Sequence, residues 1–327
     1  MSEFLAAYGL FLAQLATFVV LLIVVFALIV ATRRRGRAEG LVVEHLNRRF
    51  EVSADELKLA LEGKERFKKA VKARHKELKR ENKARAKEES KKPRLFVLDF
   101  KGDLRASAAA SLREEVSAIL RVAKPKDRVL LRLENSGGTV HEHGFAASQL
   151  LRLKRHGLVL LVAVDKVAAS GGYLMACVAD RLIAAPFAII GSIGVLAQLP
   201  NFHRLLEEKG VDFEQIMAGR YKRTLTLFGE NTDEGRAKLQ QEVEDIHELF
   251  KNQIREYRPQ VDVERVATGE HWYGIRALEL KLVDELRTSD DFLLEAAIDH
   301  DLYHVSYKRR RGWSERVLGS AESLLSR

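Results

Sequence analysis

The 327 residues are 46% hydrophobic and carry a formal net charge of +9, enough chain for one substantial core or two modest ones. A single cysteine, Cys177, excludes an intramolecular disulfide, a thiol redox pair and a Cys-rich zinc site, and leaves the redox compartment open. The charge is local: residues 64–92 hold 14 Lys/Arg against 5 Glu, which accounts for the whole excess.

Residues 1–9 form a short tail with Glu3 and no Lys or Arg. Leu10 to Ala31 is then a 22-residue apolar run broken only by Gln14 and Thr17. At about 1.5 Å per residue, a helix over this run spans a hydrocarbon core of roughly 30 Å. A cleaved signal peptide needs a basic leader, a shorter apolar stretch and a small-residue cleavage site. Here the run ends instead in Thr32-Arg33-Arg34-Arg35. The expectation is a retained single-pass transmembrane anchor in a lipid bilayer, and the flanking arginines favour keeping that side in the cytoplasm.

Residues 32–93 read as a juxtamembrane region and charged spacer. Ala38 to Gly63 suggests short helical pieces, with Ser53-Ala54-Asp55-Glu56 spaced as a capping box. The basic stretch that follows would attract anionic lipid or nucleic acid. It has no stacking aromatic beyond Phe67, so it reads as a solvated spacer without a nucleic-acid partner.

The pattern changes after Pro93, and residues 94–299 read as one α/β domain. Leu95-Phe96-Val97-Leu98 and Val129-Leu130-Leu131-Arg132-Leu133 predict buried strands, and Leu158 to Val164 a third that leads toward Ser170. Helices are predicted over Ala106 to Ala123 and His141 to Arg155, the second after a Gly137-Gly138 turn. Strands alternating with helices imply right-handed crossovers. Leu182 to Leu199, interrupted by Pro186, Gly191 and Gly194, reads as buried strands and turns. Thr232-Asp233-Glu234 offers an N-cap and an acidic first turn for a helix that Pro259 closes. Residues 300–327, with Arg309-Arg310-Arg311, read as a peripheral basic tail.

The chemistry concentrates in Ala168-Ala169-Ser170-Gly171-Gly172-Tyr173 and in Gly219-Arg220-Tyr221-Lys222-Arg223. A serine hydroxyl becomes a good nucleophile when a neighbouring base takes its proton, and a neutral lysine can be that base. Burial among apolar groups would favour neutral Lys222, and small residues around Ser170 leave backbone N–H groups free to face a carbonyl. Two further segments stand in order with these: Glu134-Asn135-Ser136-Gly137-Gly138-Thr139-Val140 and Gly191-Ser192-Ile193-Gly194-Val195. His141 and His143 lack a carboxylate cluster and give only a weak metal signal, and His141 is expected at the solvent-facing or substrate rim. Asp180 and Asp284 are expected as caps or ion-pair partners, and Tyr173 as a packing residue.

The order and spacing of the four segments resemble the signal peptide peptidase A family of Ser–Lys proteases, most of all its SohB-type members with one membrane anchor and one protease domain. The resemblance implies a ClpP/crotonase-like α/β fold. It implies Ser170 as nucleophile, Lys222 as base, Ser192 as the residue orienting the lysine, and the N–H groups of Gly138 and Gly171 as the oxyanion hole. It further implies a serine endopeptidase of the bacterial inner membrane that assembles with itself, cuts peptides derived from membrane or exported proteins, and requires no metal or organic cofactor. It places the protease domain on the periplasmic side, against the flanking arginines. One departure is visible: the family usually has proline before the paired glycines, where this chain has Ser136. The rival expectations are a crotonase-like acyl-CoA enzyme, which would not need Ser170 and Lys222 together, and a non-catalytic membrane scaffold.

Overall fold

Apolar runs without polar interruption suit parallel strands that are covered on both faces. Three such runs form the centre of the computed structural model, which describes residues 9–11, 14–22, 39–62 and 92–309. Leu41–Tyr307 is one compact unit. The elements run β1 (Gly40–His45), α1 (Leu46–Glu62), β2 (Arg94–Lys101), α2 (Ala109–Val122), β3 (Arg128–Glu134), α3 (Val140–Arg155) and β4 (Val159–Val164). They continue with β5 (Val167–Ala169), α4 (Gly171–Ala176), β6 (Arg181–Ala184), β7 (Ile189–Gly191), α5 (His203–Glu208), α6 (Asp233–Tyr257) and α7 (Val263–Val266). Last come β8 (His271–Tyr273), α8 (Gly274–Glu279), β9 (Glu285–Leu286), α9 (Ser289–Asp299) and β10 (Asp301–Lys308).

Seven strands form one sheet in the order β1-β10-β2-β3-β4-β6-β9, and β10 through β9 are all parallel to their neighbours. Period-two alternation splits the strands between two cores. Phe96, Leu98, Phe100, Val129, Leu131 and Val162 pack on the face that carries α2, α3 and α4. Leu95, Val97, Leu130, Leu161 and Ile183 pack on the other face, with Leu46 of α1 and Leu293 of α9. A second sheet, β5-β7-β8, is short and stands at the carboxyl end of β3, joined to it through the bridge between Asn135 and Ala168.

Several expectations are corrected. Residues 39–62 are a strand and one continuous helix, so Ser53 and Glu56 lie inside α1 and cap nothing. The run from β4 does not lead straight to Ser170, because the chain first turns into β5 of the second sheet. Only the first part of the Leu182–Leu199 stretch is buried; past Ile193 the chain emerges, and Leu196 is 76% exposed. The segment read as a peripheral tail contributes β10, which is inserted between β1 and β2. By contrast Thr232 does cap α6, accepting from the Gly235 N–H at 3.1 Å.

Residues 9–11 and 14–22 are helical and expose Leu10, Phe11, Phe18 and Leu22. Among the described residues no helix is long and apolar enough to cross a membrane. The remainder of the expected anchor, residues 12–13 and 23–31, lies outside the described residues, as do nearly all of the basic spacer and residues 310–327.

Candidate active site

Open α/β sheets place their sites beyond the carboxyl ends of the strands, and the candidate residues gather at such an end. Ser170 follows β5 directly and precedes α4, so it occupies the corner between strand and helix. Its backbone has φ 51° and ψ −121°, a region that costs a non-glycine residue about 1–3 kcal/mol. Two hydrogen bonds hold the corner: the Ser170 N–H donates to Gly191 O at 2.8 Å, and the Leu174 N–H donates to Ser170 O at 2.9 Å. The side chain remains partly open to solvent.

The parallel register of β5 and β7 pairs Ala169 with Gly191. A serine follows each strand, Ser170 after Ala169 and Ser192 after Gly191, so both leave neighbouring strand ends. Ser192 also has φ 51°, and its N–H donates to Glu270 O at 2.7 Å. Gly191, with φ 104°, lies against the Trp272 ring so closely that a Cβ there would stand 2.8 Å from Cε3.

The glycine turn completes the group. A Cβ on Gly137 would stand 2.8 Å from the Ser170 Cβ and 2.9 Å from the Gly171 nitrogen, so the turn lies directly over the serine corner. The Gly137 N–H is taken by Asn135 Oδ1 at 2.8 Å. Among the described residues the N–H groups of Gly138 and Gly171 have no hydrogen-bond acceptor. Two free N–H donors beside a serine hydroxyl can hold a carbonyl oxygen that becomes negative as the hydroxyl attacks.

The structure therefore brings together Ser170, Ser192, Gly138 and Gly171, and leaves Lys222 apart from them. Lys222 lies in the irregular segment between α5 and α6, where its N–H donates to Gly219 O at 3.1 Å and its side chain is exposed. Its neighbour Arg220 pairs with Glu234 at 2.7 Å. The expected burial of Lys222 is thus not met within one chain.

The remaining polar residues fall as follows. His141 is 81% exposed, whereas His143 is fully buried. Tyr173 is fully buried, its hydroxyl donates to Leu282 O at 2.9 Å, and burial pushes its pKa upward. Asp180 accepts the Leu160 N–H at 2.8 Å and pairs with Lys154 at 3.0 Å. Asp284 accepts the Leu182 N–H and binds the buried Arg258 guanidinium through both oxygens, all at 2.7 Å. Burial pushes the Cys177 thiol up to about 12, which leaves it an inert packing group. Sequence reasoning missed Asn135, although Asn two positions before Gly is a turn signal that could have revealed it.

Comparison with known proteins gives concordant results. Residues 3–150 match the family model described as Peptidase family S49 N-terminal, and residues 152–303 match Peptidase family S49. A Haemophilus influenzae protein named "Probable protease SohB" is 46% identical over 98% of this chain and 94% of its own length. A protein of the same name from Buchnera aphidicola subsp. Acyrthosiphon pisum is 55% identical over 72% of this chain and 70% of its own. Another, from Buchnera aphidicola subsp. Schlechtendalia chinensis, is 44% identical over 89% of this chain and 99% of its own.

Proposed function

Because the chain belongs to peptidase family S49, a serine peptidase family, we propose that it is a membrane-anchored endopeptidase working through a Ser170–Lys222 dyad. The observation that carries this reading is Ser170 itself, held at φ 51° beside two unclaimed N–H groups. Ser170 Oγ attacks the peptide carbonyl and passes its proton to Lys222 Nζ. The N–H groups of Gly138 and Gly171 hold the resulting oxyanion. Collapse of the tetrahedral intermediate expels the amine, which takes the proton from Lys222, and water then hydrolyses the acyl-enzyme. Ser192, at the neighbouring strand end, orients the lysine by hydrogen bonding. Membership in S49 sets aside the acyl-CoA alternative. The large parallel sheet with a short second sheet at its carboxyl end supports the ClpP/crotonase-like reading of the fold.

A base must reach its serine, and Lys222 is exposed in the single chain. Its segment also exposes Phe213, Ile216 and Phe228. Exposed apolar clusters of this kind mark association surfaces. The reading therefore includes self-association: a second copy covers this segment, removes Lys222 from water and closes the dyad. The 22-residue apolar run supplies the anchor in a bacterial inner membrane. The substrates are peptides from membrane or exported proteins.

Labelling with a fluorophosphonate tests the reading. Wild-type chain is expected to be labelled at Ser170 and to cleave peptide, Ser170→Ala to do neither, and Lys222→Arg to be inactive because a guanidinium stays protonated. Normal turnover by a folded Ser170→Ala or Lys222→Arg chain would remove the dyad.

A further inference from the structure

The two proposed oxyanion donors sit on separate loops, and the Gly138 loop has little intrinsic stiffness. Gly137, at φ 94°, and Gly138 next to it have the widest backbone choice of any residue pair. Ser136 leaves the φ of this turn unrestricted, as a proline there would not.

Asn135 supplies a restriction of another kind. It is 1% exposed, and its backbone is held from both sides: its N–H donates to Val167 O at 2.9 Å, and its carbonyl accepts the Ala169 N–H at 3.0 Å. Its Oδ1 accepts the Gly137 N–H at 2.8 Å, closing an Asx turn. That bond turns the chain and also occupies the first N–H of the glycine pair, so the free donor is that of Gly138. The amide orientation is fixed, since Oδ1 must face the Gly137 N–H, and Nδ2 lies 3.5 Å from Met175 Sδ.

His143 stands behind this turn. Its Nε2 lies 3.3 Å from the same Asn135 Oδ1, and its Nδ1 lies 2.9 Å from Thr139 O. The ring also lies against the second loop, where a Cβ on Gly171 would stand 2.5 Å from His143 Cγ. One buried imidazole thus touches both the residue that turns the first loop and the glycine that offers the second donor.

We infer that Asn135, buttressed by His143, is a positioning residue that sets the Gly138 and Gly171 N–H groups at the oxyanion. This rests on the serine-protease reading of Ser170. The test uses the full chain in detergent, with peptide turnover and the rate of fluorophosphonate labelling measured together, because the phosphonyl oxygen seeks the same two donors.

Asn135→Ala is expected to lower kcat and the labelling rate about 10–100-fold, with KM within about twofold, since the lost interaction matters only as the oxyanion forms. His143→Phe, which removes the ring's polar contacts to Thr139 O and Asn135 Oδ1, is expected to show a smaller loss of the same kind. Adding Ser136→Pro to Asn135→Ala is expected to recover most of the rate, because proline restores the restriction by another route. A merely structural asparagine would lower the melting midpoint and the active fraction, and proline would not rescue it. Wild-type labelling at Ser170 alongside an equally fast Asn135→Ala chain, or a slow variant that Ser136→Pro leaves slow, overturns the inference alone. Absence of Ser170 labelling in the wild type overturns the protease reading and the inference with it.

Discussion

Glu115 on α2 is a carboxyl in a place that disfavours its charge. It is 5% exposed; burial raises its pKa to about 7, although the Tyr307 N–H donates to Oε1 at 2.7 Å and opposes the rise. The unfolded chain ionises this group near 4.5, so the folded state holds the proton more tightly between pH 4.5 and about 7. Stability therefore falls as pH rises through that window and stays lower above it. Glu115→Gln keeps an acceptor for Tyr307 and removes the penalty. It is expected to stabilise the fold by about 1–3 kcal/mol more at pH 8 than at pH 4.5 in urea denaturation. An equal effect at both pH values would mean that Glu115 is not the buried acid. Legibility at this scale follows how local the signal is. Ser170 stands in a run of small residues and can be read from the chain, whereas the placing of Ser170 and Ser192 after paired strand ends depends on a strand register that spacing alone does not give. Asn135 was legible in principle from Asn-Ser-Gly. The buried state of His143 was not, because its cover comes from α4 and the β3 loop.

At the scale of elements, the end of α6 is tied to the large sheet by one buried cation. Arg258, 2% exposed, binds both oxygens of Asp284 and donates to Lys281 O at 3.1 Å, while Asp284 also holds the Leu182 N–H that begins β6. Arg258→Ala leaves Asp284 without its counter-charge and is expected to cost about 3–5 kcal/mol, read as a fall in the denaturation midpoint. A loss under 1 kcal/mol would show that solvent reaches the carboxylate in the variant. The strands that the sequence revealed, β2, β3 and β4, hold unbroken apolar runs, Leu95–Leu98, Val129–Leu131 and Val159–Val164, and the polar residues inside β2 and β3, Asp99 and Arg132, pair with each other at 2.6 Å. Strand β10 carries His304 and Ser306, and only Asp301, Leu302 and Val305 are buried, so no apolar run announces it. Strand β1 exposes most of its residues, and β5 is three residues long, too short for any periodicity. The Thr232 cap was legible because a cap is complete within four residues; Ser53 has the same spacing without the helix start that would make it one.

On the scale of the whole molecule, the segment between β7 and α6 exposes Leu196, Phe213, Ile216 and Phe228. Ile216 is 97% exposed although it is among the most apolar residue types. If a second copy covers it, dilution should lower activity per chain. Ile216→Glu should then shift the size distribution toward monomer by light scattering and lower turnover by about tenfold or more, without changing the melting of the sheet. Unchanged size and turnover would place association elsewhere. The insertion of β10 between β1 and β2 has a consequence for the order of events in synthesis. β1 leaves the ribosome long before Asp301 does, and at about 5–20 residues per second the delay is on the order of tens of seconds. Throughout that interval β1 has no strand to pair with, and the β2 edge stands open. The large sheet is completed only when β10 arrives, so a nascent chain carries β1 and β2 as open edges until synthesis is nearly finished.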